Sequence, residues 1–325
     1  MVERHVLEDA LAHPLDATDF TELGPKYEGK VRDNYSLGDG RRLLVTTDRI
    51  SAFDRILGTV PFKGQVLTRL AAWWFEKTAY VVPNHLVGVP DPNALLCLEC
   101  TPLLVEMVVR AYATGTTSTS LWTHYERGVR VFCGHLLPEG LRKHERLASP
   151  ILTPATKAPI GEHDISGSRE QILATGLVTA WDFDEAAKLA MALFTEGQRL
   201  LAERGLILVD TKYEFGRTLD GRLVVIDEVH TPDSSRFWSA STYDDRFARG
   251  VDPEPLDKDF VRRYYAGLGY RGDGVPPSLP DEVRLGAAER YIAAYEGITG
   301  EQFVPDTEPP RERMTRTLRN LGARR

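Results

Sequence analysis

The 325-residue sequence predicts an α+β fold. Three observations carry the prediction. Residues 1–60 read as strands and turns, and 184–204 and 281–296 read as helices with clear ends. Between those helices, 206–238 reads as strand, turn and strand. Strands and helices interleaved this unevenly do not match a regular βαβ repeat. At roughly 100–200 residues per domain, the length suits two domains better than one.

Taken in order, 42–47 is a compact apolar and β-branched run after the turn signal Gly38-Asp39-Gly40. A helix follows over 64–77, with Leu67, Leu70, Ala71 and Trp74 at i, i+3, i+4 and i+7. Pro83, Pro90, Pro92 and Pro102 punctuate the next stretch, 103–110 reads as a buried strand, and a crossover to a second domain falls near it. The helix over 184–204 opens with acids and closes at Gly205, as the helix dipole and C-cap preferences favour. The helix over 281–296 starts after Pro280 and stops at Gly297, with Val283, Ala287, Tyr291 and Tyr295 on one face. The hairpin between them reads LILVDTKYEF, GRTLDG and RLVVIDEV.

Hydrophobic content of 42% and charged content of 27% exclude a disordered or collagen-like chain. A net charge of −7, from 40 basic and 47 acidic residues, argues against a nucleic-acid coat. The apolar run near 103–109 is broken by Glu106 and is far shorter than the roughly 20 residues of a membrane span. Charges are scattered through the N-terminus where a signal peptide would be apolar. Three cysteines make no disulfide framework, so the expected place is a reducing cytoplasm.

The hairpin carries the chemistry. Asp210, Lys212 and Glu214 are spaced i, i+2, i+4 and share one strand face. Asp227 follows Val224-Val225-Ile226, where a bare carboxylate is costly to bury. A hairpin can bring Glu214 and Asp227 together, and two carboxylates at one point call for a cation. That cation is either Mg²⁺ on substrate phosphates or Lys212 bridging both acids on a solvated face. The following loop, 231–238, offers Asp233, Ser235 and Arg236 to a phosphorylated or carboxylated small molecule, though turns favour the same residues.

Other segments are less specific. Residues 24–31 nearly match a P-loop, but Val31 stands where Ser or Thr must ligate Mg²⁺, and strand and turn follow instead of a helix. A glycine turn with Lys30 and Arg32 facing a polyphosphate stays open, as does a plain β-turn. Arg110 leads into the hydroxyl-rich loop 111–120, where Gly115 frees backbone donors for a phosphate. Lys157, His163 and Asp164 form a polar grouping within 153–164. Cys97, Cys100, Cys133 and His135 nominally offer Cys₃His to zinc, but the C-x-H spacing favours buried structural thiols. The tail 309–325 carries six arginines and reads as a solvated, flexible end.

Together these segments resemble the SAICAR synthetase family. The resemblance is carried by YEGKVRDNY (27–35), TTDRISAFD (46–54), PFKGQVLTRLAAWWFE (61–76) and VVRAYATGT (108–116). It continues through ILTPATKAPIGEHD (151–164), LVDTKYEFG (208–216), IDEVHTPDSSRFW (226–238) and the region 280–300. It implies two lobes: a small antiparallel-sheet lobe like that of protein kinases over 1–107, and a larger ATP-grasp-like α+β lobe over 108–325. It implies an ATP- and Mg²⁺-dependent ligase that joins the carboxylate of CAIR to L-aspartate through an acyl phosphate. Carried over by motif, Lys30 and Arg32 lie by the ATP phosphates, and Glu214 and Asp227 are Mg²⁺ and ATP ligands. Lys212, with Glu214 and Asp227, makes up the catalytic set and bridges nucleotide to the reacting carboxylate. Asp48, Ser51, Arg110, Thr116, Thr117, Asp210, Asp233, Ser235 and Arg236 hold CAIR, while Lys157, His163 and Asp164 hold aspartate.

The chain departs from the family at Ala111 and Ala155, where glycine and serine are usual, and at Leu98 and Glu99, where lysines are common. These departures leave open a paralogue that ligates an amino acid to another carboxylated heterocyclic ribonucleotide.

Overall fold

The computed structural model describes residues 2–53, 55–117, 119–157, 165–318 and 321. The N-terminal part runs α1 (Arg4–Ala10), β1 (Lys26–Glu28), β2 (Arg32–Ser36), β3 (Arg41–Thr46), β4 (Arg49–Ala52) and β5 (Arg55–Thr59). It continues through α2 (Lys63–Lys77), β6 (Leu86–Asp91) and β7 (Ala94–Leu98). The middle comprises β8 (Cys100–Tyr112), α3 (Leu121–Glu126), β9 (Val131–Phe132), β10 (His135–Leu136), β11 (Arg146–Leu152) and β12 (Ala155–Thr156). Then come α4 (Arg169–Ala174), α5 (Ala180–Ala202), β13 (Leu206–Thr218), β14 (Leu223–Ile226) and β15 (Ser235–Ser239). The chain closes with α6 (Ala240–Ala248), α7 (Asp259–Gly267), α8 (Asp281–Thr299) and α9 (Pro310–Leu318).

Two antiparallel sheets organise the molecule. One has strand order β1-β2-β3-β7-β6, and the other β11-β8-β13-β14 with β12 added to β8 and β15 to β13. β4 and β5 pair separately, as do β9 and β10. Since β7 ends at Leu98 and β8 starts at Cys100, the change of sheet falls there, and the expected division at 107/108 cuts through β8.

The main core lies between the second sheet and its helices. Val66, Leu67, Leu70, Ala71 and Trp74 of α2 and Ala186, Ala190, Leu193 and Phe194 of α5 belong to one buried cluster with Met107, Val109, Tyr213 and Phe215. The apolar stripe of α2 is the one its i, i+3, i+4, i+7 spacing predicts. A second cluster joins Tyr35, Leu43, Val45 and Leu96 of the first sheet to Met314 and Leu318 of α9. Among the described residues, no helix is long and apolar enough to cross a membrane.

Element ends moved for local reasons. α5 begins at Ala180, because Thr179 caps it with a side-chain oxygen that accepts the Asp182 N–H. α8 runs through Gly297 and stops where Gly300 turns left-handed at φ 75°. β8 is longer than the expected 103–110, alternates between covered and open positions over 105–109, and is buried throughout at its end, Arg110 to Tyr112. The expectation of a flexible tail from 309 needs correction over Pro310–Leu318. Arg313 there is 1% exposed, bonds Asp91 through two 3.1 Å contacts and reaches Asn93 at 2.5 Å. Removing one partner of a buried ion pair strands the other charge. Arg313→Ala should therefore cost about 3–5 kcal/mol in urea unfolding. Arg316→Ala, which loses an exposed pair with Glu308, should cost no more than about 1 kcal/mol.

Candidate active site

β13 lies antiparallel to β8 with Asp210 opposite Arg110, Lys212 opposite Val108 and Glu214 opposite Glu106. Period two places these six side chains on one face of the sheet, and Thr211, Tyr213, Met107 and Val109 on the face that meets the core. The open face has two chemically distinct ends.

At the carboxylate end, Lys212 Nζ lies 2.7 Å from Glu214 Oε1 and 2.8 Å from Glu106 Oε1. Lys157, just after β12, pairs with the other Glu214 oxygen. Burial disfavours the Lys212 charge, but Glu214, Glu106 and Asp227 outweigh it and raise its pKa well above normal. Burial likewise works against the Glu214 carboxylate, and the Lys212 and Lys157 ammoniums reverse that and hold it low. Asp227 follows β14 in the left-handed region, at φ 68°. Arg32 reaches across from the first sheet, its Nη1 2.6 Å from Asp227 Oδ1 and its Nη2 2.5 Å from Glu228 Oε2. Burial raises the Asp227 pKa; Arg32 opposes this, while Glu214 and Glu228 add to the rise.

Two neighbouring carboxylates that destabilise each other's charge are hard oxygen donors suited to Mg²⁺ whose other ligands are phosphate and water. Among the described residues no group of three or more His, Cys, Asp or Glu is placed to hold an ion, so this is not an all-protein cage. The cysteines fit no metal either: Cys97 and Cys100 are buried free thiols, and His135 Nε2 is 2.7 Å from the Leu152 carbonyl.

At the cationic end, a cleft is lined by Arg110, Thr117, Asp210, Ser235 and Arg236, joined by Lys258 and Arg262. Arg236 Nη1 is 2.5 Å from Asp210 Oδ2, and Arg110 Nη1 approaches the same oxygen at 3.4 Å. One carboxylate thus aims two guanidiniums. Arg110 is fixed further by Thr153 Oγ1 at 2.9 Å and the Thr119 carbonyl at 3.2 Å. Ser235 and Thr211 hydroxyls are 2.7 Å apart. The loop above folds on Ser120, whose Oγ accepts the Thr117 N–H at 3.1 Å. Gly115 permits this fold: its φ is +104°, and a Cβ there would lie 2.3 Å from Ser120 Oγ.

Lys258 is held down to about 8, by burial first and then by Arg262 and Lys63, with Asp233 opposing. Asp233 is tied to Lys63 Nζ at 2.7 Å and to the Tyr291 hydroxyl at 2.5 Å. Burial would raise its pKa, but Lys63 and Lys258 hold it low.

Not every residue singled out by the sequence faces the sheet. Lys30 is exposed on the β1–β2 turn, and its carbonyl accepts from Arg49 Nε at 3.0 Å. Thr116 is exposed beside Gly115, and Ser51 is half-buried on β4. Asp48 is 4% exposed and spends its oxygens on the Leu15 and Gly64 amides, at 2.8 and 2.9 Å. It therefore caps the start of α2, the turn that carries Lys63, and does not present a free carboxylate. His163 and Asp164 lie outside the described residues.

Sequence reasoning missed Glu106, Glu228, Lys63, Tyr291, Lys258 and Arg262 in this site. Glu106 does carry a signal in the sequence, as a charge interrupting an apolar strand.

The family model for SAICAR synthetase matches residues 25–277. The chain is 52% identical over 289 residues to a phosphoribosylaminoimidazole-succinocarboxamide synthase of Legionella pneumophila, covering 88% of this chain and 91% of the relative. It is 45% identical over 317 residues to the chloroplastic synthase of Arabidopsis thaliana, covering 95% and 76%. Among solved structures it resembles SAICAR synthase from Saccharomyces cerevisiae complexed with SAICAR, with a TM-score of 0.76 and 30% identity over 90% of this chain and all of that one.

The cationic cleft should bind inorganic phosphate, measured by calorimetry. Affinity should fall as pH rises through about 8, where the free cleft loses the Lys258 proton. Lys258→Met should flatten that fall, and Arg236→Ala should weaken binding at pH 7 by about 10-fold or more. Affinity independent of pH across this range would place Lys258 out of the anion's reach.

Proposed function

The chain belongs to the SAICAR synthetase family, and from that membership we propose that the open sheet face is where its ligase chemistry takes place. The enzyme is an ATP-dependent ligase that joins CAIR to L-aspartate to form SAICAR in purine biosynthesis. A carboxylate resists attack by an amine until one of its oxygens is made a leaving group. In the route we favour, a CAIR carboxylate oxygen attacks the γ-phosphorus and ADP departs. The aspartate amine then attacks the acyl carbon, and phosphate leaves with that oxygen.

The observation that carries this assignment is Lys212, held between Glu106 and Glu214 at the carboxylate end while also lining the cationic cleft. Arg110, Arg236, Ser235 and the Thr117 loop would take the CAIR 5′-phosphate, with Lys258 and Arg262 adding charge. Fixing that phosphate would set the heterocycle's carboxylate toward Lys212, so that part of the entropy of bringing the reacting groups together is lost on binding and not in the transition state. Glu214 and Asp227 would hold Mg²⁺, which supplies charge neutralisation and in-line alignment at the ATP phosphates. Arg32 works through Asp227 and Glu228, its guanidinium being committed to both. Lys30, on its exposed turn, would approach the polyphosphate from the first sheet. Asp48 contributes through the first turn of α2, and Ser51 and Thr116 border the CAIR side. Lys157, with His163 and Asp164, is our assignment for L-aspartate. Three unpaired thiols suit a reducing compartment, so we place the reaction in the cytoplasm.

Nothing in the geometry favours a different heterocycle. Ala111 and Ala155 are buried, and Glu99 is occupied by Arg42 and by Ser36 Oγ at 2.9 Å.

ADP release with Mg-ATP, CAIR and L-aspartate should require all three components and yield the succinocarboxamide by mass. Turnover without L-aspartate, or no turnover from folded protein, would refute the reading. Lys212→Met should lower kcat by about 10²–10³-fold with a smaller effect on KM, because its charge acts where charge develops during transfer.

A further inference from the structure

Tyr213 stands between Lys212 and Glu214 on β13 but faces the core, where it is fully buried. Its hydroxyl lies 2.5 Å from Nε2 of His230, which is also fully buried. His230 closes the turn that begins at Asp227. Both ends of that turn are left-handed, with φ 68° at Asp227 and 48° at His230, a conformation that non-glycine residues keep only when their surroundings hold it.

From the front, Arg32 grips Asp227 and Glu228, and the Thr231 hydroxyl is 2.7 Å from Glu228. From behind, the turn is held through His230. Trp74 of α2 meets the imidazole edge-on at 4.5 Å, and a Cβ added to Gly197 of α5 would lie 2.2 Å from it. Among the described residues, His230 Nδ1 has no hydrogen-bond partner. An apolar side chain would fill this core position without that unsatisfied nitrogen, so the bond the imidazole does make needs a reason.

We infer that the Tyr213–His230 hydrogen bond is a positioning device that couples the strand carrying Lys212 and Glu214 to the turn carrying Asp227. It sets the separation of Glu214 and Asp227 from behind the sheet, while Arg32 orients Asp227 from the front. Tyr213 and His230 touch no substrate and act through Glu214 and Asp227. The inference rests on the reading of those two carboxylates as the Mg²⁺ and nucleotide groups.

The test uses Tyr213→Phe, His230→Leu and the double variant, with ATP binding measured by calorimetry with and without Mg²⁺. Each single variant should weaken Mg²⁺-dependent binding about 5–10-fold, the scale of one hydrogen bond. The double variant should be no worse than either single, because one bond is removed in all three. Binding without Mg²⁺ and phosphate binding in the cationic cleft should change little, and the thermal midpoint should fall by only a few degrees, the scale of one buried polar group left unpaired. Gly197→Ala, which moves the ring without altering either bonded atom, should reproduce the loss. Folded Tyr213→Phe protein that binds Mg-ATP as the unsubstituted chain does would overturn the inference. So would equal losses with and without Mg²⁺ and in phosphate binding, which would mark a general packing role. Controls separate this from the reading beneath it: if Glu214→Ala and Asp227→Asn leave Mg²⁺-dependent binding unchanged, the metal assignment fails whatever Tyr213 does.

Discussion

The register between β8 and β13 is the constraint on which the rest depends. Side chains alternate along a strand, so a slip of one residue would turn Asp210, Lys212 and Glu214 into the core and bring Thr211 and Tyr213 to the surface. The pairing that prevents it is Asp210 with Arg110, Lys212 with Val108 and Glu214 with Glu106. Hydrophobic burial on the back face enforces this register. Met107, Val109, Tyr213 and Phe215 are all buried on the face that α5 covers, and exposing them would cost far more than the polar face could recover.

That one register yields opposite electrostatics at the two ends of a short stretch of sheet. At one end Lys212 and Lys157 share Glu214, with Asp227 close by. At the other, Arg110 and Arg236 share the Asp210 carboxylate. Neither arrangement is a simple stabilising salt bridge, since buried ion pairs contribute little net stability against apolar packing. Their physical value is pre-organisation: charges are oriented before a ligand arrives, so little reorganisation remains at the moment of reaction. The first sheet joins this arrangement through Arg32, and the C-terminal helix closes over that sheet through Arg313 and Met314.

What could be read from the sequence was local. The apolar stripe of α2 and the Asp210-Lys212-Glu214 alternation lie within a few residues, and both kept their faces in the structure. What could not be read was distant. Arg32 meets Asp227 across 195 positions, Lys63 meets Asp233 across 170, and Lys212 meets Glu106 across 106. No periodicity reports such pairings. Motif resemblance marked Asp48 as a substrate group, but its two backbone partners show it capping α2, a use that one carboxylate in a turn does not reveal by type. The arginine-rich tail misled for a related reason. Exposed and buried arginines look alike in sequence, and only the buried carboxylate of Asp91 distinguishes Arg313.

We propose that this face brings a substrate carboxylate oxygen to the γ-phosphate beside Lys212. This is tested most directly by following that oxygen. CAIR labelled with ¹⁸O in its carboxylate should, over a single turnover, deliver one labelled oxygen to the released inorganic phosphate. Phosphate released without label, alongside formation of the amide, would contradict the account.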